Sequence, residues 1–225
     1  EIANGDWSSD VCSSDLLGML LAISGGFMDA YSYIERGHVF ANAQTGNILL
    51  FGVNLSEGNF KMAIHYFLPV LAFALGIALA EIVHTKELEI LHWRQAAVLI
   101  EAVMLVGVSF FPLSLNLLAN SLTSFACGIQ VESFRKIRGN GIATTMCIGN
   151  LRSGTQNLCN YFHNKDIEYF KSSLLYYGII ACFVIGAIIG NFFIHILQEK
   201  AILCCSALLF FIFFLMFIDF EREKL

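Results

Sequence analysis

Residues 42–55 read NAQTGNILLFGVNL, and residues 141–162 read GIATTMCIGNLRSGTQNLCNYF. Whether these two stretches cross a membrane decides the fold. Around them lie blocks dominated by Leu, Ile, Val, Phe and Ala, at 17–34, 62–84, 95–111, 113–137, 170–197 and 201–218. A bilayer-spanning helix needs about 20 mostly apolar residues, and all six blocks are long and apolar enough. The two quoted stretches differ. They carry Asn, Gln, Thr and, at Arg152, a full charge, a composition that does not suit a lipid-facing helix.

The chain of 225 residues is 57% hydrophobic and 14% charged, against about 25% charged in a typical soluble domain. A soluble bundle of these helices would have almost no charged surface to cover it. The fold class read from the sequence is therefore an all-α integral membrane protein. Its seven cysteines show no CxxC or Cys/His spacing, so they read as small buried hydrophobes with free thiols.

Basic residues indicate how the two polar stretches run. If each returns to the side it enters from, one side of the membrane holds Lys86, Arg94, Arg135, Lys136, Arg138, Arg152, Lys165, Lys171, Arg222 and Lys224. The other holds Arg36, Lys61 and Lys200. Ten against three is the asymmetry expected of cytoplasmic loops. If both stretches crossed, the count would be five against seven and Arg152 would sit in lipid. The sequence thus predicts about six transmembrane helices, a cytoplasmic C-terminus and two short polar helices, broken or re-entrant.

The halves of the chain also match. At a shift of 103 residues Gly25 falls on Gly128, Asp29 on Glu132, Val39 on Ile142, Gly46 on Gly149 and Asn47 on Asn150. Seven more residues of shift lay FALGIALAE (73–81) over FVIGAIIGN (183–191). Repeat 1 then covers about 17–112 and repeat 2 about 113–220. Three spans per repeat is an odd number, so the repeats insert upside down relative to each other. Transporters built this way place their site near the repeat interface, on discontinuous helices.

Candidate site residues follow from that plan. Asp29 lies in the first span, where a carboxylate is costly and needs a wet cavity or a partner; Arg36 or Arg135 could supply one. Glu132 is its match in the second half. Gln44, Thr45 and Asn47 in the first polar stretch, and Thr144, Thr145 and Asn150 in the second, can donate and accept at once. Half-helices starting there would aim positive dipole ends at a ligand. Gln130 joins the set through the resemblance described below. Glu81 reads as interfacial, and Glu101 needs an internal partner. Gly186 with Gly190, and Gly76 with Ala80, read as close helix crossings.

No GxSxG, HExxH, P-loop or dinucleotide fingerprint occurs. The six histidines are scattered, and RKIR at 135–138 reads as a membrane anchor rather than a nucleic-acid patch. The sequence therefore predicts no enzyme, no cofactor, no metal site and no nucleic-acid partner. The partners expected are the lipid bilayer, a small solute or ion, and a second copy of the chain.

SGGFMDAYSYIERGHVFANAQTGNILLFG (24–52) and ACGIQVESFRKIRGNGIATTMCIGNL (126–151) resemble the two signatures of the YoaK-like family of bacterial inner-membrane proteins. The likeness extends over about 17–220. It implies a polytopic protein of roughly six spans in the bacterial inner membrane, and supplies no established activity. Asp29, Thr45-Gly46-Asn47, Gln130, Thr144, Thr145 and Gly149-Asn150 match the family's pattern. Val131 departs from the amide expected after Gln130, and Ile148 from the threonine of a second TGN. The function expected is a small-molecule or ion transporter or channel; the alternative is a structural or regulatory membrane subunit.

The first 16 residues stand apart. DWSSDVCSSDL (6–16) corresponds to one reading frame of a common short-read sequencing adapter, and removing residues 1–16 changes the formal charge from −5 to −1. They are expected to lie outside the fold, leaving 17–225 as a single membrane domain. Re-sequencing the locus from clean genomic DNA should show the adapter-like codons absent.

Overall fold

The structure is a computed structural model that describes residues 15–85, 90–137 and 140–223. The leader expected at 1–16 lies outside the described residues except for Asp15 and Leu16. So do Lys86, Arg138 and Lys224, three of the ten cations counted above.

Eight α-helices follow one another among the described residues: α1 (Asp15–Glu35), α2 (Gln44–Ser56), α3 (Phe60–Thr85), α4 (Ile90–Val108), α5 (Asn116–Ser133), α6 (Cys147–Asn164), α7 (Ile167–Leu197) and α8 (Ile202–Glu223). Each apolar or polar block of the sequence becomes one helix. The only strand structure among the described residues is a two-residue antiparallel pair, Lys136–Ile137 with Asn140–Gly141. Three stretches are long and apolar enough to cross a membrane, Asp15–Glu35, Phe60–Val83 and Ile167–Met216. The last runs for 50 residues through α7, a 3-10 turn at Gln198–Ala201 and most of α8. Outward-facing Leu79, Ile188, Phe192 and Phe214 give these helices an apolar exterior that only lipid or a partner could cover.

The polar stretches begin as extended arms rather than as helices. Helix α2 starts at Gln44 and α6 at Cys147, two and six residues later than the sequence suggested. The first arm is made by a turn. Gly37 (φ 87°) and His38 (φ 62°) take left-handed backbone angles just past α1, where a glycine carries no Cβ penalty. The His38 N–H closes onto Tyr33 O at 3.1 Å, a C-terminal helix cap. The chain then doubles back, and Asn42 Nδ2 donates to Gly25 O at 3.1 Å. Gly25 lies ten residues before the end of α1, so the arm has retraced about 15 Å of helix.

Helix α1 is the central element. Of its apolar window 67% is buried, against 28% for α3 and 22% for the stretch containing α7 and α8. A helix surrounded by protein can carry Ser, Gly and Asp, and α1 has the lowest mean hydropathy of the three. It packs against α7 and α8; α5 packs against α3 and α4. Helix α2 lies on α3, α6 on α7, and α4 also meets α8. Glycine sets the closest crossings. A Cβ on Gly26 would strike the Phe183 carbonyl of α7, and one on Gly186 the Ile23 carbonyl of α1. A Cβ on Gly76 would strike Phe125 O of α5, and one on Gly128 Phe73 O of α3. The Gly186 and Gly76 crossings expected from sequence are thus backbone-to-backbone contacts of the small-residue kind.

Candidate functional site

Three pieces of chain meet at Gly25. The first arm reaches its carbonyl through Asn42, and the second arm lies against its Cα. A Cβ there would sit 3.3 Å from Thr144 O and from Thr145 Cα. The two extended arms, more than 100 residues apart in sequence, therefore converge on the middle of α1.

Each arm is held by an asparagine of the helix it feeds. Asn47 Nδ2 donates to Phe40 O (2.7 Å) and to Gln44 Oε1 (2.8 Å), while its Oδ1 accepts from Phe40 N at 3.0 Å. Asn150 Nδ2 donates to Ala143 O (2.7 Å), and Ala143 N donates to Asn150 Oδ1 at 3.3 Å. In both, a side-chain amide pairs with the backbone of the residue seven positions earlier, as a neighbouring strand would. Asn47 and Asn150 are buried, so truncation orphans a backbone N–H and C=O. Asn47→Ala and Asn150→Ala are each expected to cost about 2 kcal/mol, read as a lowered midpoint in detergent thermal denaturation. Asn47→Asp should do no better, because a carboxylate cannot donate to Phe40 O.

Between the arms, α1 and α7 lies a cavity of about 590 Å³. Its polar lining is Asp29, Asn42, Gln44, Thr45, Thr145 and Cys147; its apolar wall includes Tyr33, Phe40, Ile48, Ile148 and Phe183. Asp29 Oδ1 accepts the Asn42 N–H at 2.7 Å, a charge-assisted bond that ties the arm to α1. Gln44 Nε2 donates to Ala41 O (2.7 Å) and Ser124 Oγ of α5 (3.3 Å). Neither Ala43 nor Met146, the residues preceding α2 and α6, caps its helix with a side chain. Thr145 Oγ1 is buried with no hydrogen-bond partner among the described residues. A groove of about 650 Å³ adjoins the cavity at Ile148 and follows Gly149, Arg152, Gln156 and Cys159 along α6.

Of the nine candidates, the structure brings Asp29, Gln44, Thr45 and Thr145 to the cavity wall, with Asn47 and Asn150 holding the arms behind it. Thr144 is buried beside Gly25, and Gln130 is buried in α5; neither lines the cavity. Glu132 lies elsewhere. It pairs with Arg135 at 3.0 Å, and Arg135 also meets Glu81 at 3.6 Å, joining the ends of α5 and α3. Sequence reading missed Asn42, which sits inside a quoted stretch and differs from its neighbours only in where it points. It also missed Cys147, read as a plain buried thiol. Glu101 is buried, and neither carboxyl oxygen has a hydrogen-bond partner among the described residues.

The Asp29–Arg36 pair considered from sequence does not form. Arg36 is fully buried at the far end of α1. It donates to Tyr31 Oη (2.8 Å), Phe111 O (2.8 Å), Val108 O (3.2 Å) and Asn116 Oδ1 (3.3 Å). Its guanidinium caps the C-terminal carbonyls of α4, where positive charge is favoured.

Residues 17–215 match the family described as "Protein of unknown function (DUF1275)". The chain is 26% identical over 182 residues to the "UPF0700 transmembrane protein YoaK" of Bacillus subtilis (strain 168), covering 76% of this chain and 79% of that protein. No solved structure matches the chain.

Proposed function

We propose that this chain, which belongs to the DUF1275 family, is a transporter or channel for a small solute or ion, with its site where the two arms meet α1. The observation that carries the proposal is the cavity beside Asp29, lined by residues of both polar stretches. Non-helical backbone at membrane depth is tolerated where it is buried or lines a cavity, and these arms do both. No catalytic role is assigned to any residue.

An inverted repeat accounts for the helix pairings. Exchanging α1–α4 with α5–α8 turns α1–α7 contact into α5–α3, α2–α3 into α6–α7, and α1–α8 into α5–α4; α4–α8 maps onto itself. Every one of these pairs packs. The asparagine clamps and the Gly26 and Gly128 crossings repeat in the same way. In this reading α1, α3, α4, α5, α7 and α8 cross the bacterial cytoplasmic membrane, α2 and α6 re-enter from opposite sides, and the C-terminus is cytoplasmic. One detail of register differs from the sequence match. Gly26 meets Phe183 and Gly128 meets Phe73, residues that align at the shift of 110. Gly26 and Gly128 are therefore equivalent, and Asp29 falls on Val131 rather than on Glu132. Only one half carries the acid, so the site is one-sided.

The test is uptake of a broad panel of labelled small solutes into proteoliposomes. For at least one solute the intact chain should exceed empty liposomes, and Asp29→Asn should lower that rate about tenfold or more, the cost of one lost charged contact. Uptake no faster than in empty liposomes across the panel would leave the structural-subunit reading instead.

A further inference from the structure

The cavity has a chemical bias. Among the described residues Asp29 is the one of formal charge on its wall, and no Lys, Arg or His lines it. Asn42 and Thr145 also line it; Asn42 Oδ1 and Thr145 Oγ1 are buried with no hydrogen-bond partner among the described residues. Most of the remaining wall is apolar. Tyr33 and Phe40 stack at 4.9 Å between centroids, with Ile34, Ile48, Met146 and Phe183 completing it.

We propose that this cavity binds a small organic cation with an apolar body, its ammonium held by Asp29. This names the substrate class of the site proposed above and rests on that reading. An ammonium brings three donors, no acceptor and a positive charge, which suits a wall whose one residue of formal charge among the described residues is a carboxylate. The aromatic pair offers ring faces that attract cations. The volume of about 590 Å³ lies within the range of about 300–1,000 Å³ typical of small-molecule sites. A bare inorganic ion would leave the apolar wall unfilled. An anion would face Asp29 directly. The uncapped start of α6 favours an anion, but only with the roughly half unit of charge of a helix end. Arg152 lines the adjoining groove and not the cavity.

The probes are phenethylamine, its neutral analogue phenethyl alcohol and its anionic analogue 3-phenylpropionate, in equilibrium dialysis against the purified full chain. The amine is expected to bind about tenfold tighter than either analogue. Asp29→Asn keeps an oxygen for the Asn42 N–H and should erase that preference; Glu132→Gln, outside the cavity, should retain it. In the intact chain the amine should slow maleimide modification of Cys147, which lines the cavity, and leave Cys159, in the groove, unaffected. Equal binding of the three probes overturns the proposal. So does tighter binding of the carboxylate, or a preference that survives Asp29→Asn. Uptake separates this inference from the reading beneath it. Amine binding with no uptake of any solute leaves the cation site standing and removes the transport reading. Asp29-dependent uptake of another solute, with no amine binding, does the reverse.

Discussion

Arg36→Ala is expected to destabilise the protein by at least about 3 kcal/mol. Truncation removes a donor from four acceptors, the buried Tyr31 Oη and Val108 O and the part-buried Phe111 O and Asn116 Oδ1; Val108 O keeps only the Phe111 N–H at 3.1 Å. Each orphaned buried group costs roughly 1–3 kcal/mol. The damage spreads because the partners belong to different elements. Val108 ends α4, Asn116 begins α5, and Tyr31 in α1 donates onward to Glu199 O in the turn before α8 at 2.7 Å. Asn120 Nδ2 also donates to the Arg36 carbonyl at 2.7 Å, which fixes the backbone beneath the side chain. Arg36→Lys keeps the charge but replaces a planar fork with a single point, and should recover less than half of the loss. Thermal denaturation in detergent, followed by circular dichroism, measures both. A midpoint for Arg36→Ala within about 2 °C of the intact chain, less than the shift expected of 1 kcal/mol, would contradict this role for Arg36.

Gly186→Val and Gly128→Val should each cost about 3 kcal/mol, near the upper end for overpacking. At these positions the added carbon meets a backbone carbonyl, of Ile23 and Phe73 respectively. A carbonyl cannot rotate aside as a side chain can, so α1 must move off α7, or α3 off α5. A glycine control tells this from a general effect of substituting glycine. Gly52 lies inside α2, and a Cβ added there would find nothing within 4 Å. Gly52→Ala should therefore raise stability by about 0.5–1 kcal/mol through helix propensity alone. The same melting experiment reads all three. Similar losses at Gly52 and Gly186 would mean that the crossings are not set by steric contact.

The fold was largely legible because it is written in local composition. Each apolar block became one helix, and the density of Asn, Thr and Gln at 42–47 and 143–150 marked the places where the helices break. The asparagines stood out because they repeat at a shift of 103. What the sequence withheld depends on contacts between distant segments. Nothing near Arg36 tells that its partners are 72, 75 and 80 residues away. A cation just past a span reads as a loop charge, and only the turn at Gly37–His38 and the nearness of α4 make it a buried cap. Glu132 misled for a related reason. One residue along a helix turns the side chain by about 100°, enough to separate buried Val131 from Glu132, which faces Arg135. Of the candidate site, the sequence showed which polar residues lie in the two stretches; which of them line one cavity depends on where the arms turn.

The pairing of α1 with α7 also dictates an order of events in synthesis. Gly26 is made well before its neighbour Phe183, which follows about 150 residues later. At about 5–20 residues per second, the ribosome needs on the order of ten seconds or more to deliver it. Through that interval α1 holds a carboxylate and a row of small residues without α7 or α8 seated against them. A half-made chain therefore exposes groups that the finished protein covers. Slowing translation after α4 should cost yield before it costs anything else.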